Sequence, residues 1–98
     1  MRQLDLGMQI EAIRGMPPLV EGDGTPTTIG DVILKAIPYE TANHDKAVRL
    51  WRIAFELDKA GRGVVELEDA DYELLKTVML RGERATVVMA NLARAFGE

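Results

Sequence analysis

The sequence contains no cysteine and no serine, and its only histidine is His44. Without cysteine, disulfide bonds and thiolate sites are excluded, and a reducing compartment is the natural expectation. Serine and cysteine nucleophiles are excluded as well. One histidine also cannot build the multi-histidine site of a zinc enzyme. We therefore predict a protein that is not an enzyme and holds no cofactor, with His44 as a solvated residue at a helix start.

Long apolar runs and blocks of positive charge are also missing. No apolar run approaches the roughly 20 residues that span a bilayer, and the first ten residues, MRQLDLGMQI, lack the layout of a signal peptide. The formal net charge is −4, with five basic and seven acidic residues in positions 1–49 and seven and nine in positions 50–98. This even distribution disfavours nucleic acid as a partner, because phosphate binding needs clustered positive charge. We also expect no membrane contact.

The 98 residues suit a single domain, which we predict to span 1–98. Residues 1–26 are predicted to form a ribbon of strands and turns, and residues 27–98 to be mainly helical. The first thirteen residues alternate between polar and apolar, which is typical of a strand with one wet face. The Gly- and Pro-rich stretch that follows predicts turns on either side of a short returning strand at Leu19 and Val20.

Helix signals dominate the rest of the chain. One helix is predicted to begin at Thr27 or Thr28, with Asp31 in its first turn, and to end at Pro38. The longest should run from a cap at Asn43 to Ala60. Two more helices are predicted, from Glu68 or Asp69 to Met79 and from about Glu83 to Phe96, with VVEL (64–67) as a third short strand. The predicted fold class is α+β, with an N-terminal β-hairpin packed against about four amphipathic helices.

The longest predicted helix carries a broad apolar face, which contains the only tryptophan of the sequence. Its members are Ala47, Leu50, Trp51, Ala54, Phe55 and Leu57. Because charged residues recur on the opposite face, we predict that Trp51 and Phe55 belong to the core. The alternative is that the pair forms an exposed binding anchor.

Five acidic residues lie within the eight positions from Glu66 to Glu73. Aligned to a calcium-binding EF-hand loop starting at Asp69, they place acids at positions 1, 3 and 5. However, position 6 is Leu74 instead of glycine, and position 12 is Leu80 instead of glutamate. Acids at a helix N-terminus explain the cluster better, because they oppose the positive end of the helix dipole. We predict a helix start and no metal site.

Two stretches contain more apolar side chains than a small core requires. One surrounds the N-terminal ribbon, and the other belongs to the last helix. Exposed strand edges and flexible apolar side chains are typical of contact surfaces. The predicted partner-contact residues are Met8, Met16, Leu19, Val20, Val87 and Met89. A separate protein of unknown identity and a second copy of this chain both remain open as the partner.

The order of these segments resembles that of a known group of proteins. A strand-turn stretch, then TIGDVILKAI, then DKAVRLWRIAFEL, then GVVELEDADYELLKTVM and a closing amphipathic helix resembles small proteins encoded in tailed-phage and prophage genomes. The resemblance covers most of residues 15–96 and rests on structural motifs, so it brings no catalytic residues with it. It implies a small accessory protein acting in the cytoplasm of a bacterial host.

Two functional hypotheses follow. The first is a non-enzymatic protein that acts through protein–protein contact, either in virion assembly or by binding a host or phage protein. The second is a transcription regulator that reads DNA through the closing helix pair, with Arg81, Arg84 and Arg94 on phosphates.

Overall fold

The chain contains two short strands and four helices, and the computed structural model describes residues 1–17 and 19–97. In chain order the elements are β1 (Arg2–Asp5), α1 (Ile29–Ala36), a 3₁₀ turn (Ile37–Tyr39), α2 (His44–Ala60), β2 (Val64–Leu67), α3 (Asp69–Leu80) and α4 (Thr86–Ala95). The predicted α+β class, with one small antiparallel sheet and four helices, is confirmed. Helix α4 begins at Thr86 instead of about Glu83, because the chain is extended at Arg81 and Ala85.

The sheet joins distant parts of the chain. Strands β1 and β2 pair antiparallel, with Leu4 opposite Val65 and Arg2 opposite Leu67. The sequence predicted β2 as an added third strand and residues 19–20 as the first partner. Instead, Val20 forms only an isolated bridge, to Pro26. The physical reason is that alternate residues of β1 and β2 place their apolar side chains in one core, whereas Leu19 and Val20 are both exposed and add nothing to that core.

The chain after β1 continues alongside the start of α1. The backbone N–H of Ile29 donates to the carbonyl of Met8 at 2.8 Å, and that of Gly30 donates to the carbonyl of Leu6 at 3.0 Å. Gly7 lies against the chain that leads into β2, and a Cβ atom built there would be 2.3 Å from the carbonyl oxygen of Arg62. A side chain at position 7 would therefore force two backbone segments apart.

Helix α1 is fixed at its N-terminus by a capping box, and Thr28 is the cap, one of the two threonines predicted for that position. The hydroxyl of Thr28 accepts a hydrogen bond from the N–H of Asp31 at 3.3 Å, and the Asp31 carboxylate accepts from the N–H of Thr28 at 2.9 Å. The guanidinium of Arg62 lies 3.2 Å from the same carboxylate. The reciprocal bonds satisfy backbone donors that a helix start otherwise leaves open.

Thr28→Ala is expected to lower the free energy of unfolding by about 1 kcal/mol, because it removes the oxygen that caps α1. Urea unfolding followed by circular dichroism measures the loss. Thr77→Ala, at an exposed position inside α3, is the matched control, and it should be neutral or slightly stabilising because alanine is the better helix former. Equal losses for the two variants would show that the Thr28 hydroxyl does not stabilise the helix.

One hydrophobic core joins all these elements. Helix α2 contributes Leu50, Ile53 and Leu57, which are spaced by three and four residues and are fully buried or nearly so. The C-terminal end of the chain closes the core on another side, where Tyr72 and Phe96 meet edge to face with ring centroids 5.5 Å apart. Among the described helices, none is long and apolar enough to cross a membrane.

The N-terminal segment is held against α4 by Arg94, which donates to the carbonyl of Gln9, and by Asn91. The side chain of Asn91 is only 6% exposed. The amide oxygen accepts the N–H of Glu11 at 3.0 Å, while the amide nitrogen donates to the carbonyl of Glu11 at 3.2 Å and to that of Val87 at 2.7 Å. Residue 11 therefore has its backbone donor and acceptor satisfied by one buried side chain.

Candidate protein-docking surface

Helix α2 exposes a row of large apolar side chains on the side away from its buried stripe. Val48 is 53% exposed, Trp51 54% and Phe55 57%. Their spacing of three and four residues places them along one face of the helix, which we call the α2 aromatic face. The prediction that Trp51 and Phe55 belong to the core is therefore wrong, and the alternative of an exposed pair is what the structure contains.

The position of Ile53 explains the error. A helix turns by about 100° per residue, so Trp51 lies roughly 100° and Phe55 roughly 140° round the helix from Leu50. The core of this small protein takes the sector that contains Leu50, Ile53 and Leu57. Because the predicted apolar face omitted Ile53, it was centred too far toward the aromatic residues. The second stripe through Ile53 was the signal that could have separated the two sectors.

A groove runs beside the α2 aromatic face and has a volume of about 270 Å³. Its lining comes from α1, the 3₁₀ turn and α2, and consists of Leu34, Pro38, Trp51, Ala54, Phe55 and Asp58. The rings of Trp51 and Phe55 lie edge to face, with centroids 5.9 Å apart and an angle of 86° between their planes. Two aromatic rings in this arrangement support each other's orientation.

Trp51 also lines a second groove, of about 340 Å³, on its other side. That groove contains Glu40, whose carboxylate lies 2.9 Å from the guanidinium of Arg84. In the first groove the single charged residue is Asp58. The carboxylate of Asp58 makes no ion pair or side-chain hydrogen bond with the described residues. The acid of the second groove, Glu40, is therefore paired, whereas the acid of the first groove, Asp58, is not.

The six residues predicted to contact a partner lie elsewhere. Leu19 and Val20 are exposed near the bridge to Pro26, and Met8, Met16, Val87 and Met89 are half-buried. None of the six lines either groove beside Trp51. Met89 lines a separate surface groove of about 520 Å³ between the α3–α4 connection and α4. A contact role for these residues stays a prediction.

The acidic stretch begins a helix, as predicted: α3 starts at Asp69. Its acids pair within the molecule, since Asp71 lies 3.3 Å from Arg49 and Glu73 lies 3.2 Å from Arg2. Glu68 occupies the capping position, but its side chain makes no capping hydrogen bond. Throughout residues 1–17 and 19–97, no group of three or more histidine, aspartate or glutamate residues is arranged to hold a metal ion.

The three arginines of the DNA-binding hypothesis also have partners within the chain. Arg84 donates to the carbonyl of Met79 at 3.1 Å as well as to Glu40. Arg81 lies 4.0 Å from the same Glu40 carboxylate. Arg94 donates to the Glu11 carboxylate at 3.1 Å. These contacts tie the C-terminal helix pair to the rest of the molecule and neutralise its positive charges locally.

Two carboxyl groups of the loop before α1 have lowered pKa values. The pKa of Glu21 is lowered chiefly by its hydrogen bond with Lys35 and then by that with Thr27. The pKa of Asp23 is lowered chiefly by the hydroxyl and then by the backbone N–H of Thr25. Hydrogen bonds to the charged form account for both shifts. These bonds shape the loop.

Comparison with protein-family models, with curated proteins and with solved structures finds no match to this chain.

Proposed function

We propose that this protein acts through protein–protein contact and that the α2 aromatic face is its docking surface. The proposal rests on the exposure of Val48, Trp51 and Phe55. Each is more than half exposed, and none belongs to the buried core. Large apolar side chains exposed side by side are typical of contact sites. Tryptophan is also among the residues that contribute most to binding energy in protein interfaces.

The biological setting that we propose follows from the resemblance to small phage-encoded proteins. In that setting the chain is a non-enzymatic accessory protein of a tailed phage or prophage. It contributes to virion assembly or binds a protein of the host or the phage. The DNA-binding alternative receives less support, because Arg81, Arg84 and Arg94 all face acidic side chains of the same molecule.

Site-specific photo-cross-linking in bacterial cells that carry the phage or prophage and express the protein tests the docking surface. A p-benzoylphenylalanine at position 55 or at position 48 is expected to give discrete cross-linked species. The same photoreactive residue in place of Thr77, which is exposed on α3, is the control and should give none. Adding Trp51→Ala to the position-55 variant is expected to remove most of the cross-linked product, because the central anchor of the surface is lost.

The cross-linking pattern can contradict the proposal in two ways. No product from positions 48 and 55 would mean that α2 does not dock a partner in the cell. Equal products from positions 55 and 77 would mean that the contacts are unspecific. A product with twice the mass of the chain would identify a second copy as the partner.

A further inference from the structure

We infer that the groove lined by Trp51, Phe55 and Asp58 receives an arginine side chain of the partner protein. This inference rests on the proposed docking function and adds the chemistry of what is docked. The occupant is a protein segment with an exposed arginine.

The volume of the groove lies at the lower end of the range for small-molecule pockets and is enough for one side chain. Pockets for drug-sized ligands usually have volumes of about 300–1,000 Å³ and enclose most of the ligand. This groove has about 270 Å³ and lies along an exposed helix face. The apolar lining, which includes Leu34 and Pro38, suits the aliphatic stem of one extended side chain.

The charge of the groove favours a cation. Asp58 is the only charged residue among the described residues that line it. It lies in the last turn of α2, where a negative charge opposes the negative end of the helix dipole, so its charge does not stabilise the helix. Nor does it pair with another described residue. The net charge of the whole protein, −4, favours the approach of a positively charged partner surface as well.

The same chain contains an arginine held in the arrangement that we infer. The guanidinium carbon of Arg2 lies 4.2 Å from the centroid of the Tyr72 ring, and a guanidinium nitrogen is 3.2 Å from the Glu73 carboxylate. The groove on α2 offers the same two kinds of partner, aromatic rings and a carboxylate, and none of the described residues that line it is basic. Arginine suits such a site better than lysine, because its planar guanidinium stacks on aromatic rings and binds carboxylates through two N–H groups.

Protein-observed NMR tests the inference directly. Trp51 is the only tryptophan, so its indole N–H gives a single resonance that reports on the groove. The probes are N-acetylarginine amide, N-acetyllysine amide and the neutral isostere N-acetylcitrulline amide. We expect the arginine compound to shift this resonance with a millimolar dissociation constant, about fivefold tighter than the citrulline compound. The lysine compound should bind more weakly than the arginine compound.

Two matched variants assign the preference to Asp58. Asp58→Asn should abolish the difference between the arginine and citrulline compounds. Asp45→Asn changes the net charge equally at the other end of α2, outside the groove lining, and should preserve the difference. If both variants lost the difference between the arginine and citrulline compounds equally, the difference would arise from the overall charge of the protein, and the inference would be overturned.

Four further outcomes would also overturn it. Two of them are equal binding of the arginine and citrulline compounds and equal binding of the arginine and lysine compounds. The third is no shift of the Trp51 resonance with the arginine compound up to about 100 mM. The fourth is a Trp51 resonance that moves with protein concentration alone. The last would identify a second copy as the occupant. Cross-links from position 55 without an arginine preference would support the docking surface and reject only the inference that its ligand is an arginine. An arginine preference without cross-links would remove the docking function instead.

Discussion

Leu57→Ala is expected to lower the free energy of unfolding by about 2–5 kcal/mol, whereas Phe55→Ala, two residues away on α2, should cost less than about 1 kcal/mol. The reason is that Leu57 is completely buried and Phe55 is 57% exposed. Removing the leucine leaves a cavity in the core. Removing the phenylalanine mainly takes away a ring that water already reaches. Urea unfolding followed by far-ultraviolet circular dichroism measures both losses.

The pair of variants decides which face of α2 is inside. A loss from Phe55→Ala as large as that from Leu57→Ala would show that the aromatic residues are packed in the core, and the docking surface would then not exist. Similar m-values for the two variants and the unmodified protein would show that the comparison reports on stability and not on the denatured state.

Asn91→Ala is expected to lower the free energy of unfolding by about 2–4 kcal/mol. The substitution leaves the N–H and the carbonyl of Glu11 without their partner and also opens a small buried space next to α4. Asn43→Ala is the matched control, because Asn43 also accepts a backbone N–H, that of Lys46 at 2.9 Å, but does so in solvent at the start of α2. A lost cap there should cost about 1 kcal/mol.

Hydrogen exchange distinguishes a local from a global effect of Asn91. The amide of residue 11 should exchange much faster in the Asn91 variant, while the amides of the buried stripe of α2 keep their relative order of protection. An Asn91→Ala loss no larger than that of the Asn43 control would mean that water replaces the amide and that the Asn91 side chain does not hold the N-terminal segment.

Features that depend on neighbours in sequence could be predicted closely. The Asn43 cap and the Gly61 stop define α2, and the acids from Asp69 onward mark the start of α3. The Thr28 cap with Asp31 marks the start of α1. Each of these signals acts within one turn of helix, because capping and dipole effects fall off over that distance.

Features that depend on distant neighbours could not be predicted in this way. The apolar residues of α2 extend over more than one sector, and the positions of α1, the 3₁₀ turn, β2 and α3 decide which sector is covered. The partner of β1 posed the same problem, since residues 19–20 are closer in sequence but only β2 matches its alternation over four residues. The groove beside Trp51 combines three elements, so neither its shape nor the unpaired state of Asp58 has a local signal.

The two strands of the sheet are far apart in sequence, and this has a consequence for synthesis of the protein. Gln3 on β1 and Glu66 on β2 are 63 residues apart in sequence. At about 5–20 residues per second, a ribosome needs roughly 3–13 seconds between them. During that interval Leu4 has no strand to pair with. A nascent chain that stalls before β2 is completed would therefore present β1 as an unpaired strand to chaperones and to other chains.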